Sequence, residues 1–385
     1  TNLAACKVAR SVFGIQTTIA RLRSAEFAEG DPLLGPEGFG VDHVICPEES
    51  LMHYINQLIA YPQALQVLEF SQGRAHLIAV RAAAGSALVN HSIGEFKKLF
   101  PEAPLRVVAI YRQDHELPIE ATTQVLPGDE VFVLADKDRI RPVLQAIHGN
   151  DTPVRSVMIA GGGKVGMRLA RSLSGQCQVK IIEANRKRCE YLAGELPGDI
   201  MVLQGDSTDE DLLIEENVGG TDLFIALTSD DEDNILSAML AKRLGARRVM
   251  SLINRRIYAE MMQGSAIDIA LSPAQTVIGE LLVHVRRGDV AAVHSLRRGT
   301  AEAIEGIARG DKRTSRLVGH RIDAIELPTG ARFGAVVRGQ SPACEVLMPL
   351  HDLVLVEGDH VIIYVPNKRQ LRAVEKMFQV SATFF

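Results

Sequence analysis

The chain repeats itself, and a repeat at fixed spacing constrains the fold more than any single motif does. Residues 2–14 (NLAACKVARSVFG) fit residues 234–246 (NILSAMLAKRLGA), 232 positions on. Residues 41–49 (VDHVICPEE) fit residues 267–275 (IDIALSPAQ), 226 positions on. Residues 126–143 fit residues 356–374, with Gly128 against Gly358, 230 positions on. Three matches in one order at nearly one offset mark a duplication. A chain of 385 residues has room for two copies of a two-domain unit.

Residues 155–275 alternate short apolar runs with helical patterns. RSVMIA, QVKIIEA, DIMVLQG, DLFIALTS and RRVMSLI read as strands. KVGMRLARSLS, NRKRCEYLAGEL, DEDLLIEENV and DNILSAMLAKRLGA read as the helices between them. This order predicts an α/β fold, a Rossmann-like doubly wound parallel sheet with five strands. Residues 65–148 and 291–378 differ: strand pairs surround the turn signals PGDEV and EGDHV, and a final helix follows. They predict small α+β C-terminal modules. Residues 276–296, with apolar Val277, Ile278, Leu281, Leu282 and Val285, predict one long amphipathic crossover or dimer helix.

The domain division that follows is 1–60 (a first nucleotide-binding domain, cut short), 65–148, 153–275 and 291–378, with the polar GNDTP at 149–153 as the join. Counting back 232 positions from Gly161 puts the first copy's glycines about 70 residues ahead of Thr1. The expectation is a chain that begins inside its first nucleotide-binding domain, and truncation is favoured because a half-domain bares unpaired strands.

The second copy holds the chemistry. MIAGGGKVGMRLA carries Gly161-x-Gly163-x-x-Gly166 after a predicted strand and at the start of a predicted helix, the context that gives this pattern meaning. Gly161 permits the tight turn, Gly163 lets backbone approach a pyrophosphate, and Gly166 lets helix pack on sheet. Gly162 lies between them. The N–H groups around Lys164 and Val165 then face the anion. Glu183 ends the second strand 22 positions after Gly161. A carboxylate there accepts ribose hydroxyls and repels a 2′-phosphate, favouring NAD(H) over NADP(H). Arg186, Lys187 and Arg188 are candidates for binding such a phosphate and work against that preference. GDST puts Asp206 and Ser207 on the adenine side, and ALTSDDEDN puts Thr228 and Ser229 beside the cofactor. A P-loop is excluded, because Gly163-Lys164 is followed by Val165.

Catalytic groups are harder to find. A dehydrogenase needs a proton donor or acceptor aimed at the nicotinamide, and this competing reading finds little support. His294, His320, His351 and His360 are spaced without a cysteine or carboxylate partner of metal-site or triad type. There is no H-E-x-x-H and no zinc-spaced Cys/His cluster. The arginine pair in SLRRGTAEAIE reads as a solvated turn, and the acidic SDDED as a helix N-cap. The net charge of −5 supplies no basic field for nucleic acid. Five scattered cysteines fit free thiols in a reducing compartment, hence the cytoplasm. No stretch of 18 uncharged apolar residues is present to span a membrane.

MIAGGGKVGMRLA, IIEANRKR, QGDSTDEDLL, IALTSDDEDNILSAMLAKRLGARRVMSLINR and IDIALSPAQ together resemble the regulator-of-potassium-conductance domain. The tandem order, with its two GD-V modules, is similar to the cytoplasmic nucleotide-binding subunits of bacterial potassium uptake. The resemblance covers essentially the whole chain and departs from the family at the missing start of the first domain. It implies a regulatory subunit without catalysis, binding NAD(H), ATP or ADP. It also implies a homo-oligomeric ring, dimer or tetramer, on the cytoplasmic face of an integral membrane potassium transporter of the TrkH or TrkG kind. The family's cofactor positions fall on Gly161 to Gly166, Glu183, Thr228 and Ser229. Arg21, at the end of the first copy's fifth strand, matches a nucleotide-contacting arginine, with Ser251 in the equivalent place of the second copy.

Overall fold

A computed structural model describes residues 2–23, 31–99, 105–113, 115–148, 152–262, 266–285, 289–296, 300–339 and 344–380. In chain order, the first copy has helix α1 (Asn2–Phe13), strands β1 (Ile19–Arg21) and β2 (His43–Ile45), and helix α2 (Pro47–Ala60). Then come β3 (Ala64–Phe70), β4 (Ala75–Arg81), α3 (Phe96–Leu99), β5 (Leu105–Arg112), β6 (His115–Glu116), β7 (Glu130–Asp136) and α4 (Ile140–His148). The second copy opens with β8 (Ser156–Ala160), α5 (Lys164–Leu173), β9 (Gln178–Glu183), α6 (Arg186–Glu195), β10 (Ile200–Gln204) and α7 (Glu210–Glu215). It continues through β11 (Leu223–Ala226), α8 (Asp231–Arg243), β12 (Arg248–Leu252), α9 (Arg256–Met261), β13 (Ile269–Leu271) and α10 (Pro273–Val285). It closes with β14 (Val290–Leu296), β15 (Ala301–Ile307), β16 (Arg332–Arg338), β17 (Glu345–Leu347), β18 (His360–Val365) and α11 (Leu371–Glu375).

These elements gather into two compact units, each built from two separated stretches: 1–60 with 153–277, and 61–152 with 278–385. In the first unit, β8 to β13 form a parallel sheet in the order β10-β9-β8-β11-β12-β13. This is the doubly wound arrangement, with a sixth strand beyond the five expected. The sixth, β13, is only three residues long and pairs Ile269 with Met250. Its strands are apolar on both faces because helices cover both: Val157, Met158, Ile159 and Ala160 of β8 are all buried.

The first copy's α1, β1 and β2 repeat part of this in miniature, down to individual bonds. Asn2 Nδ2 donates to the Arg21 carbonyl at 2.7 Å, as Asn234 Nδ2 does to that of Leu252 at 3.0 Å. Arg10, in the last turn of α1, bonds Asp42 and the Gln16 carbonyl. Lys242, in the last turn of α8, bonds Asp268 and the Arg247 carbonyl. Helix α2 lies against the second copy's α5, and its Leu58 carbonyl accepts from Arg248 at 3.2 Å.

In the second unit, the two modules form five-stranded sheets of one topology, β3-β4-β7-β5-β6 and β14-β15-β18-β16-β17. Each has the same turn anchor. Arg112 bonds Asp129 through both carboxylate oxygens, as Arg338 bonds Asp359. The glycine before each aspartate sits at positive φ, 89° at Gly128 and 86° at Gly358, which a side chain would strain. The sheets pack face to face. Phe70, Leu77, Phe132 and Leu134 of the first module share one core with Leu296, Val337, Ile362 and Tyr364 of the second. Polar contacts stitch the seam: Gln66 Nε2 donates to the Ser295 carbonyl, and His294 Nε2 lies 2.7 Å from the Glu69 carbonyl.

Two expectations need correction here. The helix read through residues 276–296 ends at Val285, and Val290–Leu296 is strand β14. Its buried residues Val290, Val293 and Leu296 fall at every third position, which mimics a helical repeat when read as hydropathy alone. His360 does have a carboxylate partner: its Nδ1 lies 2.5 Å from Glu305 Oε1, brought close by the β15–β18 pairing. The Glu305 carboxylate also accepts from the Ser71 N–H and hydroxyl of the other module. Arg297 and Arg298 of the SLRRGTAEAIE segment, and part of the 149–153 join, lie outside the described residues.

Candidate functional site

The parallel sheet has a topological switch point where β8 lies between β9 and β11, and ligands of such sheets bind there, beyond the carboxyl ends of the strands. Gly161 follows β8, with its N–H on the Ile182 carbonyl at 2.8 Å. Its φ is +104°, and a Cβ would strike the Leu227–Thr228 backbone. A Cβ on Gly166 would strike the Gly161 carbonyl, and one on Gly162 would strike Leu192 and crowd Glu183. Gly163 is different: it N-caps α5 at an ordinary φ of −64°, and a Cβ there meets nothing within 4 Å. Gly161 and Gly166 are thus required by the protein's own backbone packing, Gly162 is crowded by side chains, and Gly163 faces open space.

The helix that starts there offers donors. Met167 N–H bonds the Gly163 carbonyl at 2.9 Å, so the N–H groups of the turn before it are the unpaired ones of a helix start. Those of Lys164 and Val165 belong to that set, and the Lys164 side chain is exposed. Glu183 stands opposite. Its Oε2 accepts from Gly162 N–H at 2.9 Å, and its Oε1 from Asn185 N–H at 2.8 Å. The loop and the acid are therefore brought together.

The remaining positions sit on neighbouring strand ends. Asp206 follows β10 in an exposed turn, and its carboxyl is held below the usual range by the Thr208 N–H and hydroxyl. Ser207 beside it is buried. Thr228 follows β11, with N–H and hydroxyl both on Asn234 Oδ1 at 2.8 Å, and Ser229 is exposed. SDDED caps α8 as expected, with Asp230 accepting from Asp233 N–H. Burial, then the charges of Asp230, Asp206 and Glu232, raise the Asp233 carboxyl. Cys189 is also raised, first by burial and then by Glu183, which keeps the thiol protonated and poorly nucleophilic.

Arg21 falls elsewhere. It is exposed and ends β1 in a separate two-stranded sheet. Its equivalence to Ser251 is off by one residue. Arg21 pairs with Ile45 and Leu252 with Leu271, so Leu252 holds the place of Arg21 and Ala20 that of Ser251.

Two further residues stand at the site with contacts that the sequence did not announce. Asn234 is fully buried and ties the Thr228 turn to the Leu252 carbonyl. Its match to Asn2 in the repeat was the available signal. The three basic residues after Glu183 also separate. Arg186 pairs with Glu190 on the surface, Lys187 is exposed, and Arg188 turns inward to the glycine loop. Among the described residues, no group of three or more His, Cys, Asp or Glu is placed to hold a metal. No helix among them is long and apolar enough to cross a membrane.

This is a duplicated protein of Rossmann-like domains with paired α+β modules, and comparison with known proteins agrees. Residues 157–273 match the TrkA-N domain, and residues 77–147 and 312–379 match the TrkA-C domain. The chain is 46% identical over 384 residues to the Trk system potassium uptake protein TrkA of Halomonas elongata, covering 100% of this chain and 83% of that protein. It is 45% identical over 385 residues to the protein of the same name from Vibrio alginolyticus, with the same coverage. The chain belongs to the TrkA family. Among solved structures, the GsuK RCK domain superposes with a TM-score of 0.53 at 17% identity, covering 98% of this chain and 78% of that one. The GsuK channel bound to NAD gives 0.51 at 16%, covering 98% and 65%. These two likenesses are of fold.

Proposed function

We propose that this chain is the nucleotide-sensing regulatory subunit of a potassium uptake system and performs no covalent chemistry. The observation that carries the reading is the Gly163 position: open space beside unpaired helix-start N–H groups and the Glu183 carboxylate, in a chain of the TrkA family. The residues fit a dinucleotide. The turn from Gly161 to Gly166 would hold its pyrophosphate, Glu183 its ribose, Asp206 and Ser207 its adenine side, and Thr228 and Ser229 its other half. NAD(H) is the preferred ligand, with ADP and ATP sharing the same diphosphate subsite. Arg21 would serve the first copy's cleft.

The subunit would act as a homo-oligomeric ring on the cytoplasmic side of an integral membrane potassium transporter of the TrkH or TrkG kind. Its nucleotide shifts the balance between two ring shapes, and it does so only to the extent that its affinity for them differs. Potassium flux into liposomes carrying the cognate transporter, with and without this subunit and NADH, tests the reading. Nucleotide-dependent flux is the expected result. Flux that ignores nucleotide while NADH is measurably bound would reject regulation.

A further inference from the structure

Gly162 is held at both ends. Its N–H donates to Glu183 Oε2 at 2.9 Å, and its carbonyl accepts from Arg188 Nε at 2.7 Å. A glycine has the most backbone freedom of any residue, so these two bonds remove freedom the loop would otherwise keep. Arg188 is itself fixed. Its Nη2 lies 3.7 Å from Met167 Sδ, and its guanidinium stands 4.8 Å from the Tyr191 ring centroid. It reaches the loop from α6, whereas the neighbouring Arg186 is spent on Glu190 at the surface.

We infer that Arg188 is a positioning residue: it sets the Gly162–Gly163 peptide plane, and with it the direction of an anion-binding N–H, without acting as a counter-charge for phosphate. The Gly162 carbonyl and the Gly163 N–H belong to one planar trans unit and point in opposite directions. Drawing the carbonyl toward Arg188 therefore turns the Gly163 N–H the other way. This inference rests on the nucleotide reading of the cleft for its consequence, but the bracing itself is a property of the ligand-free chain.

The bond uses Nε, and that makes the idea testable. Glutamine carries its amide nitrogen on Cδ, at the place of arginine Nε, so R188Q keeps the donor and removes the charge. Lysine has a carbon there, so R188K keeps the charge and displaces the donor one atom farther out. NADH affinity by calorimetry should stay within about twofold in R188Q and fall about tenfold in R188K and R188A, the loss expected of one hydrogen bond. The reverse order, with lysine tolerated and glutamine not, would overturn the inference in favour of a phosphate counter-charge. Amide exchange of residues 160–167 in ligand-free protein gives the second readout. Wild type and R188Q should protect the loop equally, with exchange several-fold faster in R188K and R188A; equal rates in all four would also overturn it. Loop protection that follows this pattern in a protein that binds no NADH, ADP or ATP would keep the brace and sink the nucleotide reading.

Discussion

Tyr111 and Tyr364, one from each repeat and 253 positions apart, share a hydrogen bond of 2.7 Å between their hydroxyls in the buried seam of the two modules. Burial, then the neighbouring Tyr111, push the Tyr364 phenol well above its usual range, so that ring stays neutral. Y364F leaves the Tyr111 hydroxyl buried without this partner and should cost about 1–3 kcal/mol in chemical unfolding. Removing both hydroxyls restores an apolar match, so the double variant should lie closer to wild type than the single ones add up to. Strict additivity would mean that the two hydroxyls do not interact in solution.

Gly163 and Gly161 should respond differently to alanine. G163A has an allowed φ and open space, so its thermal midpoint should stay within about 2 °C of wild type. Its NADH affinity should nonetheless fall at least tenfold, because only a ligand occupies that space, and G163D should abolish binding. G161A meets both positive φ and the Leu227–Thr228 backbone and should lose about 2–3 kcal/mol of stability. Undiminished NADH binding by G163D would place the ligand elsewhere.

Glu183 should set which dinucleotide is preferred. E183Q keeps an acceptor for the Gly162 N–H but removes the charge that repels a 2′-phosphate. The ratio of NADPH to NADH affinity should rise about tenfold, one unit charge at partly screened distance being worth about 1–2 kcal/mol. Competition binding measures the ratio directly, and an unchanged value would remove Glu183 from the ribose subsite.

Glu305 should give the second unit an acid-sensitive seam. Burial works to raise its carboxyl, but the bonds from His360 and from the Ser71 N–H and hydroxyl outweigh it and hold the group below the usual range. A carboxyl depressed in the folded state contributes stability above its unfolded pKa, about 4.3 for glutamate. That contribution is lost as pH falls through the folded value. Stability should therefore drop more steeply below about pH 4 in wild type than in E305Q, which at neutral pH should be weaker by about 1–3 kcal/mol. Parallel acid limbs in the two proteins would show that Glu305 has no special role.

Much of the first unit was legible because each strand of a doubly wound sheet is an apolar run and each helix a 3.6-residue pattern. The glycines and Glu183 were legible because their spacing follows from the turn they build. Strand β13 escaped because three residues carry too little pattern. The bond from Arg188 to the glycine loop was not legible because the direction of a long side chain depends on which carbonyl lies within reach, and spacing does not encode that. The pairing of the two modules was hidden for a related reason. Phe132 and Leu134 announce an apolar face, but an apolar face does not name the sheet that covers it. The duplication announced two modules of one kind without saying that they are each other's cover.

That mutual cover orders events during synthesis. The first module is complete by His148, yet the strands that shield Phe70, Leu77, Phe132 and Leu134 begin only at Val290. A ribosome adding about 5–20 residues per second leaves that face without its partner sheet for roughly ten to forty seconds. The interval is a window for chaperone capture, and for a wrong pairing between two nascent chains whose first modules present the same bare sheet.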